Sequence, residues 1–256
     1  MYIGAHPVAS LKLFWCRDFV CTTRVRLLEQ RTVSGTSKTT PVWIPYENAC
    51  LPIVGVVLAG GRSRRFNGAD KSLEILAGRP LIQRVLDKAR SQVDELIIST
   101  NGDPSSFSEI TTAVVVVDDM TGHQGPLAGL AACLSWLAEE RPEVRWIATF
   151  PVDGPFFPGH LVASLSAEAL PKGVPAFAAS GGRVHPVFGL WPIGIEPELR
   201  RYLVNSKRSS LVDFIKSQDG IEVAFAERSP DPFFNINTEV DLSRAEALCR
   251  ESERGV

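Results

Sequence analysis

From Leu51 onward, short apolar runs alternate with stretches in which apolar residues return every three or four positions. "IVGVVLA", residues 53–59, is continuous and rich in β-branched residues, the pattern of a strand buried on both faces. "RPLIQRVLDKARSQ" puts Pro80 in a first-turn position. It repeats apolar residues at Leu81, Val85 and Ala89, with Ile82 and Leu86 beside them, and so predicts an amphipathic helix. "ELIIST" predicts a second strand and "AVVVVDD" a third. "PLAGLAACLSWLAEE" carries Leu127, Leu130, Leu134 and Leu137 at helical spacing behind a proline, and "RWIATF" predicts a fourth strand. This order of elements predicts an α/β protein: a Rossmann-like three-layer fold around a mostly parallel sheet. Right-handed crossovers gather the strand C-termini along one edge, where such sheets bind ligands.

The second half is less regular. "VPAFAASGGRVHPVFGLWP" reads as two strands joined by a Ser-Gly-Gly turn, a small hairpin inserted into the α/β frame. "EPELRRYLVN" and "SSLVDFIKSQ" predict helices, the second opened by a serine cap. "IEVAFA" and "PFFNIN" read as short strands, and "TEVDLSRAEALCRES" as a terminal helix capped by Thr238. No repeat, low-complexity tract or linker interrupts residues 51–256, which are expected to form one domain. Residues 1–50 lack clean periodicity. Their apolar stretch "LKLFWCRDFVC" is broken by Lys12, Arg17 and Asp18, which argues against a secretory signal. A poorly ordered extension is expected there, consistent with a start codon assigned too far upstream. Met120 is the only other methionine, so a later start would use a non-ATG codon near Leu51 or Val54.

Composition narrows the partners. A net charge of -2 over 256 residues gives no global field for nucleic acid or an anionic membrane, so affinity for phosphate must be local. No apolar run is long enough to cross a bilayer. The five cysteines are odd in number, scattered and without a CxxC pair, which argues against a disulfide framework or zinc site and for a reducing, cytoplasmic setting.

The polar punctuation falls at the strand ends: "AGGRSRR" after the first, "STNGD" after the second, "DDMTGHQGP" after the third and "PVDGP" after the fourth. Gly60 and Gly61 let backbone amides approach a ligand, and Arg62, Arg64, Arg65 and Lys71 supply charge-assisted bonds to phosphate. Lys71-Ser72 imitates the end of a Walker A loop, but Asp70 stands where that loop requires glycine, and GxGxxG is absent. Taken alone, the stretch reads equally as a solvated basic turn. Asp153, held between two prolines, suits a magnesium ion that takes few protein carboxylates; alone it reads equally as a cap or turn residue. Asp118 and Asp119 end the third strand. "GPLAGL" places a helix N-terminus at the same rim, and its glycine also serves a tight helix entry. His185 reads as structural, and "NINT", residues 235–238, as a helix-entry turn. Neither a GxSxG elbow nor an HExxH motif is present. The chemistry these residues permit is electrostatic: hold a triphosphate, neutralise it, and let an oxyanion attack in line.

Together "VVLAGGRSRRFNGADKSLEILAGRPLI", "DDMTGHQGPLAGL", "FPVDGPF", "HPVFGLW" and "FFNINTEVDL" resemble, in order, the bacterial molybdenum cofactor guanylyltransferases, from about Ile53 to the C-terminus. The resemblance implies transfer of GMP from GTP to the molybdenum cofactor with release of pyrophosphate and use of Mg²⁺. It implies that Leu58, Ala59, Gly60 and Gly61 line the GTP site, that Lys71 contacts the phosphates with Arg65 nearby, and that Asp119 helps hold the nucleotide. Asp153 would bind GTP and the metal. Ser99 or Asn101 would make a further nucleotide contact, and Asn235 and Asn237 would border the pterin. Val152 stands where relatives often carry cysteine. The resemblance also implies transient contact with cofactor-synthesis proteins and recipient molybdoenzymes, and no counterpart for residues 1–50. Physics alone leaves the base open, so a cytidylyltransferase, another nucleotidyltransferase and a nucleotide-binding regulatory module are the rival readings.

Overall fold

The computed structural model describes residues 52–60, 70–118, 125–205, 210–227 and 231–254. The chain divides into two compact units, Met1–Cys50 and Leu51–Val256, and every described residue belongs to the second. In chain order its elements are β1 (Ile53–Leu58), β2 (Ile75–Leu76), β3 (Arg79–Pro80), α1 (Leu81–Ala89), β4 (Glu95–Thr100), β5 (Val114–Val117), α2 (Pro126–Glu140) and β6 (Trp146–Pro151). There follow α3 (Leu161–Ala169), β7 (Ala176–Ser180), β8 (Arg183–Pro192), α4 (Glu196–Asn205), α5 (Leu211–Ser217), β9 (Ile221–Ala224) and α6 (Glu239–Arg254).

Seven strands form one sheet in the order β5-β4-β1-β6-β8-β7-β9, while β2 and β3 make a separate small hairpin. β1 lies parallel to β4 and β6, and β4 parallel to β5. β8 runs antiparallel to both β6 and β7, so the predicted hairpin joins the main sheet and widens it. Gly181 and Gly182, at φ +53° and +73°, form its two-residue turn. Such a turn needs positive φ at both positions and matches the twist of the flanking strands.

The pleat of β1 explains the three layers. Val54, Val56 and Leu58 face a core built with Leu130 and Leu134 of α2, Leu199 of α4 and Phe214 of α5. Val57 and Ala59 face the opposite core, built with Leu81, Val85 and Leu86 of α1, Leu165 of α3 and Ala245 of α6. A strand covered on both faces has no need for polar alternation, hence the continuous apolar run. Gly55 marks the one place on β1 without room for a side chain: a Cβ there would stand 2.7 Å from Leu96 and 2.9 Å from Val93.

Two local expectations are corrected, and one element is added. "PFFNIN" forms no strand, because its amides are committed elsewhere: Phe233 N–H donates to the Asp231 carboxylate at 2.9 Å and Ile236 N–H to the Asp153 carbonyl at 2.8 Å. Pro80 is the residue before α1, at φ -56° and ψ 144°, and does not enter its first turn. Helix α3 is an element the periodicity reading left out. Thr238 does cap α6, its hydroxyl accepting the Asp241 N–H at 3.1 Å.

Candidate active site

Asp153 owes its position to how β6 ends. Val152 N–H donates to the Leu58 carbonyl at 3.1 Å, carrying the β1–β6 pairing past the strand, and Gly154 N–H closes onto Pro151 O at 3.2 Å. A side chain at Gly154 would stand 2.6 Å from the Phe188 ring and 3.0 Å from the Asn235 amide oxygen, so only glycine lets the turn pass. From behind, Lys88 donates to the Phe156 carbonyl at 3.0 Å and lies over the Phe157 ring, and burial lowers the pKa of its ammonium. Gln92 donates to Pro158 O at 3.1 Å. Helix α1 therefore braces the loop that presents Asp153.

Lys71 arrives from another part of the chain. The Asp70 carboxylate accepts the Ser72 N–H at 2.9 Å and its hydroxyl at 2.7 Å, which starts a short 3₁₀ turn and buries Ser72 completely. From that turn the Lys71 ammonium reaches Asp153 Oδ2 at 2.8 Å and Asn237 Oδ1 at 3.0 Å. The side chains of Lys71 and Asp153 keep 17% and 23% of their surface exposed, so the pair remains open to a ligand. Residues 82 and 166 positions from the lysine thus meet at its ammonium.

These groups face a cavity of about 240 Å³ at the C-terminal edge of the sheet. Leu58, Ala59 and Gly60 form its floor at the end of β1, and Pro126, at the start of α2, closes one side. Lys71, Asp153 and Asn235 supply its polar wall. Asn101 is exposed and borders Gly60, its amide oxygen 3.5 Å from where a Cβ would stand. Ser99 is not brought to the cavity. It is 1% exposed, its carbonyl accepts the Ala59 N–H at 2.8 Å, and its hydroxyl packs beneath α2 against Gly129 and Cys133. Gly61, Arg62, Arg64, Arg65 and Asp119 lie outside the described residues. His185 serves packing: it stacks on Phe233 at 4.6 Å and shares a 2.9 Å hydrogen bond with Ser180. Burial lowers its pKa, against the pull of Asp231, and Arg183 lowers it further.

Asp241 is a residue the sequence reading did not single out. Burial is the largest influence on its carboxyl and raises its pKa. The Thr238 hydroxyl, the N–H groups of Asn237 and Thr238 and the charge of Lys71 together outweigh that and hold the pKa below the ordinary aspartate value. Thr238-x-x-Asp241 has the spacing of a capping box, which is the sequence signal for it.

Comparison with known proteins places the chain. The MobA-like NTP transferase domain matches residues 55–221. The molybdenum cofactor guanylyltransferase of Rhodopseudomonas palustris (strain HaA2) is 41% identical over 194 residues, 75% of this chain and 90% of that protein. The protein of the same name from Bradyrhizobium sp. (strain ORS 278) is 39% identical over 203 residues, 79% of this chain and 95% of its own. Among solved structures, molybdopterin-guanine dinucleotide biosynthesis protein A from Archaeoglobus fulgidus superposes with a TM-score of 0.62 at 23% identity. That match covers 78% of this chain and all of that one. Rv0371C of Mycobacterium tuberculosis H37Rv, solved with manganese, gives 0.58 at 20% identity, over 77% of this chain and 98% of that one. The last two establish likeness of fold; the domain match and the two curated relatives, each covered almost end to end, establish that this chain belongs to the MobA-like NTP transferase family.

Proposed function

We propose that this protein transfers GMP from GTP to the terminal phosphate of the molybdenum cofactor, with Mg²⁺ on Asp153. The observation that carries the reading is the meeting of Lys71, Asp153 and Asn237 at the cavity lined by Gly60. The relatives at about 40% identity, all named guanylyltransferases, support the choice of substrate.

An oxygen of the cofactor's terminal phosphate attacks the α-phosphorus of GTP. A P–O bond forms there as the bond to the β-phosphate breaks, and pyrophosphate leaves. A phosphate oxyanion is already nucleophilic, so no strong general base is required. Lys71 places its positive charge against the triphosphate, where negative charge moves onto the leaving group. Gly60 admits the nucleotide close to the backbone, with Leu58, Ala59 and Asn101 beside it. Gly61, Arg65 and Asp119 complete the nucleotide side, while Asn235 and Asn237 border the pterin.

The donor set fits the metal. Among the described residues no three histidine, cysteine or acidic side chains cluster, and Asp153 is the one carboxylate lining the cavity. A hard cation that keeps its waters and shares substrate phosphates needs one or two carboxylates and no protein cage. When bound, Mg²⁺ would supply charge neutralisation on the phosphates.

Residues 51–256 are the working domain and residues 1–50 an extension to it. The protein acts in the cytoplasm, in transient contact with the proteins that supply its cofactor and receive its product. Among the described residues, no helix is long and apolar enough to cross a membrane.

Pyrophosphate release with GTP, Mg²⁺ and molybdenum cofactor tests the reading, with CTP as competitor. Release with GTP, resistant to CTP, is the expected result; release driven by CTP would assign a cytidylyltransferase, and nucleotide binding without release a regulatory module. Asp153→Ala should abolish release while keeping its melting transition; near-normal release by that variant would remove the metal role.

A further inference from the structure

We propose that Asp241, in the first turn of α6, is a positioning residue for Lys71 and acts through Asn237. The inference rests on the reading of Lys71 given above.

One oxygen carries the argument. Asp241 Oδ2 accepts the Asn237 N–H at 3.0 Å, the Thr238 N–H at 2.9 Å and the Thr238 hydroxyl at 2.9 Å. Capping alone requires one contact to the helix entry. The bond to Asn237 lies beyond the cap residue and fixes the backbone that carries the amide facing Lys71. On its other side the same segment is pinned by Ile236, which is fully buried and donates its N–H to the Asp153 carbonyl at 2.8 Å. Asn237 is thus clamped between the metal-loop backbone and the first turn of α6, and its Oδ1 accepts from the Lys71 ammonium at 3.0 Å.

Lys71 ends in an ammonium on a flexible four-carbon stem, a point charge with little geometric preference of its own. The Asp153 carboxylate and the Asn237 amide are acceptors that help fix its direction. Because a ligand phosphate also competes for the ammonium, the amide must keep its place while the lysine shifts its bonds. Asp241 supplies that stability without touching the substrate.

The test is a double-mutant cycle on the full-length protein, read by steady-state pyrophosphate release with GTP and by thermal melting. Asp241→Ala should lower kcat about 10- to 100-fold, as for groups that hold a reacting residue in place. Its KM for GTP should move far less, and its melting transition should stay well above the assay temperature. Asp241→Asn keeps one acceptor oxygen toward the two amides and should recover part of the loss. In an Asn237→Ala background, Asp241→Ala should cost little more, because its route to the lysine is already cut. The same fold loss in both backgrounds overturns the proposal, as does a lowered melting temperature with unchanged kcat, which would mark Asp241 as a helix cap and nothing else. If the unmutated protein releases no pyrophosphate from GTP, it is the assigned reaction that fails; that is seen before any variant is compared.

Discussion

Two cavities of similar size open at opposite ends of the sheet. The one at the C-terminal edge holds about 240 Å³, and one at the N-terminal ends of β4 and β5 holds about 290 Å³. Volume therefore does not tell them apart; the employment of their polar groups does. At the N-terminal end, Asp94 and Ile53 exchange hydrogen bonds: the carboxylate accepts the Ile53 N–H at 2.8 Å, and the Asp94 N–H donates to the Ile53 carbonyl at 3.0 Å. Glu95 is paired with Arg141. These groups fasten the entrances of β1 and β4. At the C-terminal edge, a carboxylate and an amide from two distant parts of the chain converge on the ammonium of a third. A fold needs fasteners at both ends of its strands, and both cavities carry a cation and a carboxylate. What sets the C-terminal edge apart is that its ammonium, carboxylate and amide come from distant parts of the chain and meet where such sheets bind ligands.

The sharpest way to break this contrast is at Lys71. Lys71→Ala removes the cation common to the carboxylate and the amide, and kcat/KM for GTP should fall by about 10²–10³, the usual cost of one preorganised charge contact. Folding should be little affected, because the side chain is partly exposed and packs in neither core. Unchanged kinetics would remove Lys71 from the site and leave the two cavities indistinguishable.

The opposite edge should respond in the opposite way. Asp94→Ala leaves the Ile53 N–H without its acceptor and should cost about 1 kcal/mol of stability, read as a few degrees in melting temperature. Its kcat/KM should stay at the value of the unmutated protein. A large kinetic loss there would mean that the larger cavity takes part in the reaction.

How far the sequence reaches follows the same division. Strands β1, β4, β5 and β6 were legible as continuous apolar runs, and helices α1 and α2 from apolar residues returning every three or four positions. Leu58, Gly60 and Asp153 were legible because each sits at or just past the end of a parallel strand, where topology gathers them. Lys71, on a short 3₁₀ turn well beyond β1, was legible only from the basic stretch that carries it. Ser99 shows the cost of ignoring parity. It shares a face with Ile97, which belongs to the core under α2, so its side chain had to point beneath that helix. Residues 231–238 carry Phe233, Phe234 and Ile236 and look like a strand, yet their amides answer to Asp231 and Asp153. The bond to Asp231 is a local turn two residues back; the bond to Asp153 is long-range, and no local pattern announces it. Asp241 falls between the two cases: its capping role is visible in Thr-x-x-Asp, and its bond to Asn237 is not.

The two tight hairpin turns offer the finest version of the comparison. The β7–β8 turn places Gly181 and Gly182 at positive φ; the β2–β3 turn, just beyond Lys71, asks the same of Ala77 and Gly78, at φ +44° and +77°. Glycine accepts this region freely, whereas alanine crowds its Cβ against the following carbonyl at a cost of about 1–2 kcal/mol. Arg84 offsets this by gripping the turn, its Nε donating to Leu76 O at 2.7 Å and its Nη2 to Ala77 O at 2.9 Å. Ala77 is exposed, so a larger side chain meets no packing obstacle. Asparagine tolerates the left-handed region and is favoured at the first central position of such turns. Ala77→Asn should therefore raise the melting temperature by roughly 1–4 °C, a gain below about 1 kcal/mol, with kcat/KM unaltered. A melting temperature at or below that of the unmutated protein would mean that the grip of Arg84, and not the conformation of residue 77, sets the energy of the turn.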